Sequence, residues 1–88
     1  MKRYLIIYKG IVQGVGFRWK LINIANKYNL TGYAKNLSNK DVEVQIQGEA
    51  VDEFIKESLN KDHFIQIFDY SIKELTIDPS EKRFIVKY

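Results

Sequence analysis

Between Asp41 and Gln47 apolar and polar residues alternate strictly, Val42, Val44 and Ile46 on one side and Glu43, Gln45 and Gln47 on the other. A two-residue period sends successive side chains to opposite faces of a strand, so this segment predicts a sheet with one face on a core and the other in water. The apolar face needs a cover, and two segments have the spacing to supply it. Phe17, Leu21, Ile24, Ala25 and Tyr28 recur at three- and four-residue intervals over residues 17–28, and Val51, Phe54, Ile55 and Leu59 do so over residues 50–60. Both predict amphipathic helices.

The remaining segments complete an order. Residues 2–9, rich in Tyr, Leu and Ile, read as a strand apolar on both faces and hence interior to its sheet. Residues 31–37 form a further strand, joined to 41–47 through the turn chemistry of Ser38, Asn39 and Lys40. Asn29 is suited to a left-handed stop after the first helix. Residues 64–76 and 83–88 are strand candidates, His63 opening the first of them. The sequence therefore predicts an α+β fold, a ferredoxin-like two-layer α/β sandwich ordered βαββαβ with an additional C-terminal strand. Its sheet is antiparallel-dominated and covered on one face by two helices. At 88 residues, without repeats and with Pro79 as its one proline, the chain is expected to be a single domain over residues 1–88. Trp19, Tyr33 and the other tyrosines are expected in or at the edge of the core.

Several chemistries drop out. There is no cysteine, hence no disulfide framework and no thiolate nucleophile. His63 is the one histidine and has no partner with which to hold a metal, so no metal and no cofactor are expected. Charge returns at Lys9 before a signal peptide could be completed, and no apolar run approaches the roughly 20 residues of a membrane helix. A cytoplasmic monomer with no membrane partner is expected. Charge is unevenly placed: eight basic and no acidic residues precede Asp41, whereas six basic and eleven acidic residues follow from there. The first half suits an anionic partner, or else carries a solvated lysine-rich surface.

Three of the five glycines fall in Gly10, Gly14 and Gly16, in the connection between the first strand and the first helix. They allow a tight turn that brings several main-chain N–H groups toward one point, which suits an anion. The helix that follows has no Ser, Thr, Asp or Asn at its expected start, so its first amides lack a side-chain cap. Phosphate would satisfy them and complement the helix dipole. Arg18, one of three arginines among fourteen basic residues, can grip two phosphoryl oxygens with its planar fork. On composition alone the same loop is also a glycine turn beside a solvated arginine. It is neither a Walker A loop nor a dinucleotide fingerprint.

The segment GIVQGVGFR, residues 10–18, closely resembles the signature loop of the acylphosphatase family, and GYAKNLSNKDVEVQIQG, residues 32–48, resembles its second signature. Their separation, the element order and the length agree, so the resemblance covers the whole chain. It implies an acylphosphatase, which hydrolyses acyl phosphates to carboxylate and inorganic phosphate. It also implies that the loop residues Gln13, Gly14, Val15, Gly16 and Phe17 cradle phosphate, that Arg18 binds it, and that Asn36 orients the hydrolytic water. Asn36 taken alone is also an ordinary residue for a strand end. Asn39-Lys40 replaces the usual Asp-Gly of the hairpin turn: either Lys40 turns left-handed at a cost on the order of 1 kcal/mol, or Asn39 does so in a shifted turn. Asn29 replaces a common glycine.

Two other readings share the fold. An RNA-binding module would draw on the basic first half, but it stacks bases on aromatics of the central strands, where this chain places Glu43, Gln45 and Gln47; no nucleic-acid partner is expected. A catalytically silent domain would bind a small anion through the same loop without turning it over.

Overall fold

Five strands and two helices form in the order the periodicities predict, in a computed structural model that describes residues 1–88. They are β1 (Lys2–Ile11), α1 (Phe17–Lys27), β2 (Thr31–Asn36), β3 (Val42–Gly48), α2 (Val51–Ser58), β4 (Gln66–Leu75) and β5 (Phe84–Lys87). The sheet runs β4-β1-β3-β2-β5. All neighbours are antiparallel except β5, which is parallel to β2. As its two apolar faces predict, β1 is interior, between β3 and β4.

The helices pack their stripes on one face. Phe17, Leu21, Ile24 and Ala25 of α1 and Val51 and Phe54 of α2 close over Ile6, Tyr8, Ala34, Val44 and Ile46 of the strands. Tyr8 is wholly inside; its hydroxyl lies 2.7 Å from Ser58 Oγ, and burial pushes its pKa well above the ordinary tyrosine value. Asn29 takes the left-handed conformation expected of it, with φ 56°. Lys40 is left-handed too, with φ 80°, while Asn39 accepts the Asp41 N–H through Oδ1. Of the two turn geometries open in the sequence, the structure has the one in which lysine carries the strain.

His63 does not open a strand. Pairing between β1 and β4 begins at Ile11 opposite Gln66, so residues before 66 find no partner and His63 lies in an exposed bend. Tyr70, on the edge strand β4, and Tyr88 are exposed rather than at the core edge.

The second face also departs from expectation. Gln45 and Gln47 do not simply meet water, because β4 and β5 lie at opposite edges and the chain between them crosses this face. Gln47 is buried; its Nε2 donates to the Asp78 carbonyl at 2.9 Å and its Oε1 accepts the Asp78 N–H at 2.7 Å. Arg3, also buried, donates to Gln45 at 2.5 Å, Gln47 at 3.3 Å and Glu81 at 2.8 Å, and Thr31 Oγ1 donates to Glu81 at 2.7 Å. Glu43 accepts the Tyr33 hydroxyl at 2.8 Å. Burial first, and then this bond, push the Tyr33 pKa up to about 12.

Charge placement gains a meaning here that linear counting missed. Lys2 pairs with Asp52, Arg3 with Glu81, Lys9 with Asp41 and Lys27 with Glu57. Each pair joins a base from before residue 41 to an acid from 41 onward, so much of the asymmetry is internal complementarity between the halves.

Replacing Arg3 with Met should leave the half-buried Glu81 carboxylate without its cation and lower stability by about 3 kcal/mol, since breaking a buried pair strands a charge. Urea unfolding should show a lower midpoint at an unchanged slope. A midpoint equal to that of the native chain would mean the strap holds without the guanidinium.

Candidate active site

Val12 and Phe17 hold the two ends of the loop that joins β1 to α1. Both are buried, Phe17 edge-on to Tyr8 with ring centroids 4.9 Å apart, while Gly14 and Gly16 between them are exposed. Gly14 has φ 72° and Gly16 φ 82°, and Val15 between them is not among the positive-φ residues. Alternating hand along successive residues turns their N–H groups toward one side, a concavity for an anion. A Cβ added at either glycine would meet no atom, so the requirement is the backbone hand and not lack of room.

Gly16 caps α1 in the left-handed conformation with no side-chain hydrogen bond. The consequence is visible in the donors. None of the amides of residues 13–19 reaches an acceptor in the chain; the first that does is Lys20, bonding the Gly16 carbonyl at 3.0 Å. Unpaired N–H groups and the positive end of the helix dipole together favour negative charge at this point.

Arg18 stands in the first turn of α1. Its Nη1 donates to the Lys87 carbonyl at 3.3 Å and its guanidinium lies 5.1 Å from the centre of the Tyr88 ring. It takes no part in the ion pairs described above. Lys87 lies opposite Lys35 in the β2–β5 pairing, and Asn36, the last residue of β2, follows directly. Arg18 and Asn36 thus belong to the same end of the sheet.

Asn36 carries the one buried side-chain polar atom in the chain with no partner, its Oδ1. Such an acceptor costs about 1–3 kcal/mol when left unpaired. No hydrogen bond holds the carboxamide at either end, so a half-turn about its broad terminal torsion exchanges oxygen and nitrogen.

Gln13 does more than contribute an amide. Its Nε2 donates both hydrogens to the hairpin that follows Asn36, to the carbonyls of Leu37 at 2.7 Å and Asp41 at 2.8 Å. Lys9, just before the loop, pairs with Asp41 at 2.6 Å. Nothing in the spacing of the sequence announced the side-chain role of Gln13, which depends on residues more than twenty positions away.

Beside Arg18 runs a groove of about 280 Å³, lined by Gly14, Gly16 and Arg18 at one side and by apolar groups from α1 and the chain end at the other. Trp19, expected near the core, is 72% exposed and lines it, as does Tyr88, 98% exposed. The signal was present: Trp19 falls off the Phe17, Leu21, Ile24 stripe, on the outer side of α1. No trio of His, Asp or Glu is arranged to hold a metal ion.

The acylphosphatase family profile matches residues 4–86. An acylphosphatase of Clostridium beijerinckii is 40% identical along the full length of both chains. The crystal structure of acylphosphatase from Bacillus subtilis superposes with a TM-score of 0.94 at 34% identity, each chain covered completely. A structure of full-length HypF in a phosphate- and nucleotide-bound form matches with a TM-score of 0.89 at 33% identity, over 99% of this chain and 12% of that one.

Gln13→Leu keeps much of the side-chain volume but removes both donors. It should leave the Leu37 and Asp41 carbonyls short of a partner and lower stability by about 2 kcal/mol. Calorimetric titration with inorganic phosphate should show weaker binding as the loop loses its tie to the hairpin. Unchanged stability and phosphate affinity would refute that tie.

Proposed function

The chain belongs to the acylphosphatase family, and on that premise we propose that Arg18 and the amides of residues 13–17 hold the phosphoryl group while Asn36 places the attacking water. The enzyme hydrolyses the carboxyl-phosphate bond of acyl phosphates to carboxylate and inorganic phosphate. The observation that carries the site assignment is the run of N–H groups without an acceptor, beside a guanidinium without a carboxylate.

The chemistry asks little more. The leaving group is a carboxylate whose conjugate acid has a pKa of about 4, so its departure needs no proton. Phosphoryl transfer passes through a loose transition state, and positioning with charge stabilisation does most of the catalysis. The guanidinium and the amides face the three peripheral oxygens as charge builds on them. With its oxygen turned outward, Asn36 accepts a hydrogen bond from water and sets it in line with phosphorus. Water oxygen bonds to phosphorus, the bond from phosphorus to the acyl oxygen breaks with its electron pair leaving on the carboxylate, and the water proton passes to a phosphate oxygen. Every group named comes from one chain, which supports a monomer as the working unit; sedimentation at 10.4 kDa tests that part.

Steady-state hydrolysis of acetyl phosphate separates the two roles. Arg18→Ala should raise KM and lower kcat together, cutting kcat/KM by about 10²–10³, the scale of one lost charge-stabilising donor group. Asn36→Ala should lower kcat by about 10² with KM within twofold, because water placement matters after substrate is bound. Wild-type kinetics in both variants would sink the assignment.

A further inference from the structure

We infer that the apolar groove beside Arg18 seats the acyl group, and that the enzyme prefers acyl phosphates carrying a short aliphatic chain over acetyl phosphate. The inference rests on the placement of the phosphoryl group at Arg18 and the loop amides.

Direction comes first. In-line displacement puts the attacking water and the departing carboxylate on opposite sides of phosphorus. Asn36 holds the water in the proposed site and does not line the groove, whereas Gly14, Gly16 and Arg18 belong to both cradle and groove. An acyl group leaving away from Asn36, with its phosphate still on Arg18, therefore has the groove within reach.

Composition comes second. Beyond Arg18 the walls are apolar, with Trp19 and Ile22 from α1 facing Val86 and Tyr88, and no acidic side chain among them. Trp19 and Tyr88 leave large aromatic surface in water at the rim, and an aliphatic chain laid between them would recover part of that exposure. Size sets the limit. At about 280 Å³ the groove lies just below the range that encloses drug-sized ligands, and it suits a chain of a few carbons rather than a bulky polycyclic acid.

The test is a series of acetyl, butyryl and hexanoyl phosphate, whose leaving carboxylates have nearly equal basicity, so differences in kcat/KM report acyl binding and not chemistry. A fully buried methylene is worth up to about fourfold. In a partly open groove the native chain should show a rise of about tenfold from acetyl to hexanoyl phosphate. Trp19→Ala should cut the hexanoyl-to-acetyl ratio by about threefold or more, while Phe68→Ala, a change at an equally exposed aromatic of the edge strand, should leave the ratio as it is. A series flat in chain length, or a Trp19→Ala loss equal for all three substrates, overturns the acyl seat. Inhibition by inorganic phosphate, which has no acyl group, reads the cradle separately. If Arg18→Ala left that inhibition intact the cradle assignment would fall, while a chain-length rise abolished by Trp19→Ala would still support the groove.

Discussion

The amides of residues 13–19 find no acceptor inside the chain, and the rest of the site is arranged around that shortage. A Ser or Asp at the start of α1 would have capped one of them and gained on the order of 1 kcal/mol. Gly16 does not, and its left-handed backbone instead points the donors outward. What prevents the loop from relaxing into some self-satisfied turn is its anchoring: Val12 and Phe17 are sunk in the core at either end, and Phe17 packs edge-on against Tyr8. Hydrophobic burial thus holds in place a polar arrangement that would not persist alone.

Electrostatics follows from the same organisation. Lys2, Arg3, Lys9 and Lys27 each meet an acid from the second half of the chain. Arg18 touches a carbonyl and an aromatic ring instead, so its positive charge is undiminished where the free amides lie. The hairpin after Asn36 is fastened to this loop from two sides, by Lys9 on Asp41 and by the forked amide of Gln13. The two segments to which we assign phosphoryl binding and water placement are therefore tied directly to each other, the kind of preorganisation on which electrostatic catalysis relies.

Where the sequence reading went astray, long-range geometry was responsible. Gln45 and Gln47 alternate with valine and isoleucine as any solvent-facing residues would, yet a strap between two edge strands covers them and Arg3 completes their bonding. Trp19 was assigned toward the core because large aromatics usually lie there, although the helical spacing of its neighbours already put it on the outside. His63 looked like the start of a strand until β1 ran out of residues to pair with it. Lys40 was legible as a strained position, but not which residue would accept the strain.

Periodicity, turn chemistry, the loop glycines and a missing helix cap are properties of residues close along the chain, and they were enough to determine the element order, the sheet face that the helices cover, the glycine loop with its uncapped helix start and Arg18 beside it. Folding alone decided that Gln13 reaches Leu37 and Asp41, that Lys87 and Tyr88 come to Arg18, and that a groove opens between α1 and β5. Those contacts join positions 24 to 70 residues apart. No local spacing encodes them, because they arise from how the sheet orders its strands and from which edges the connecting segments must cross.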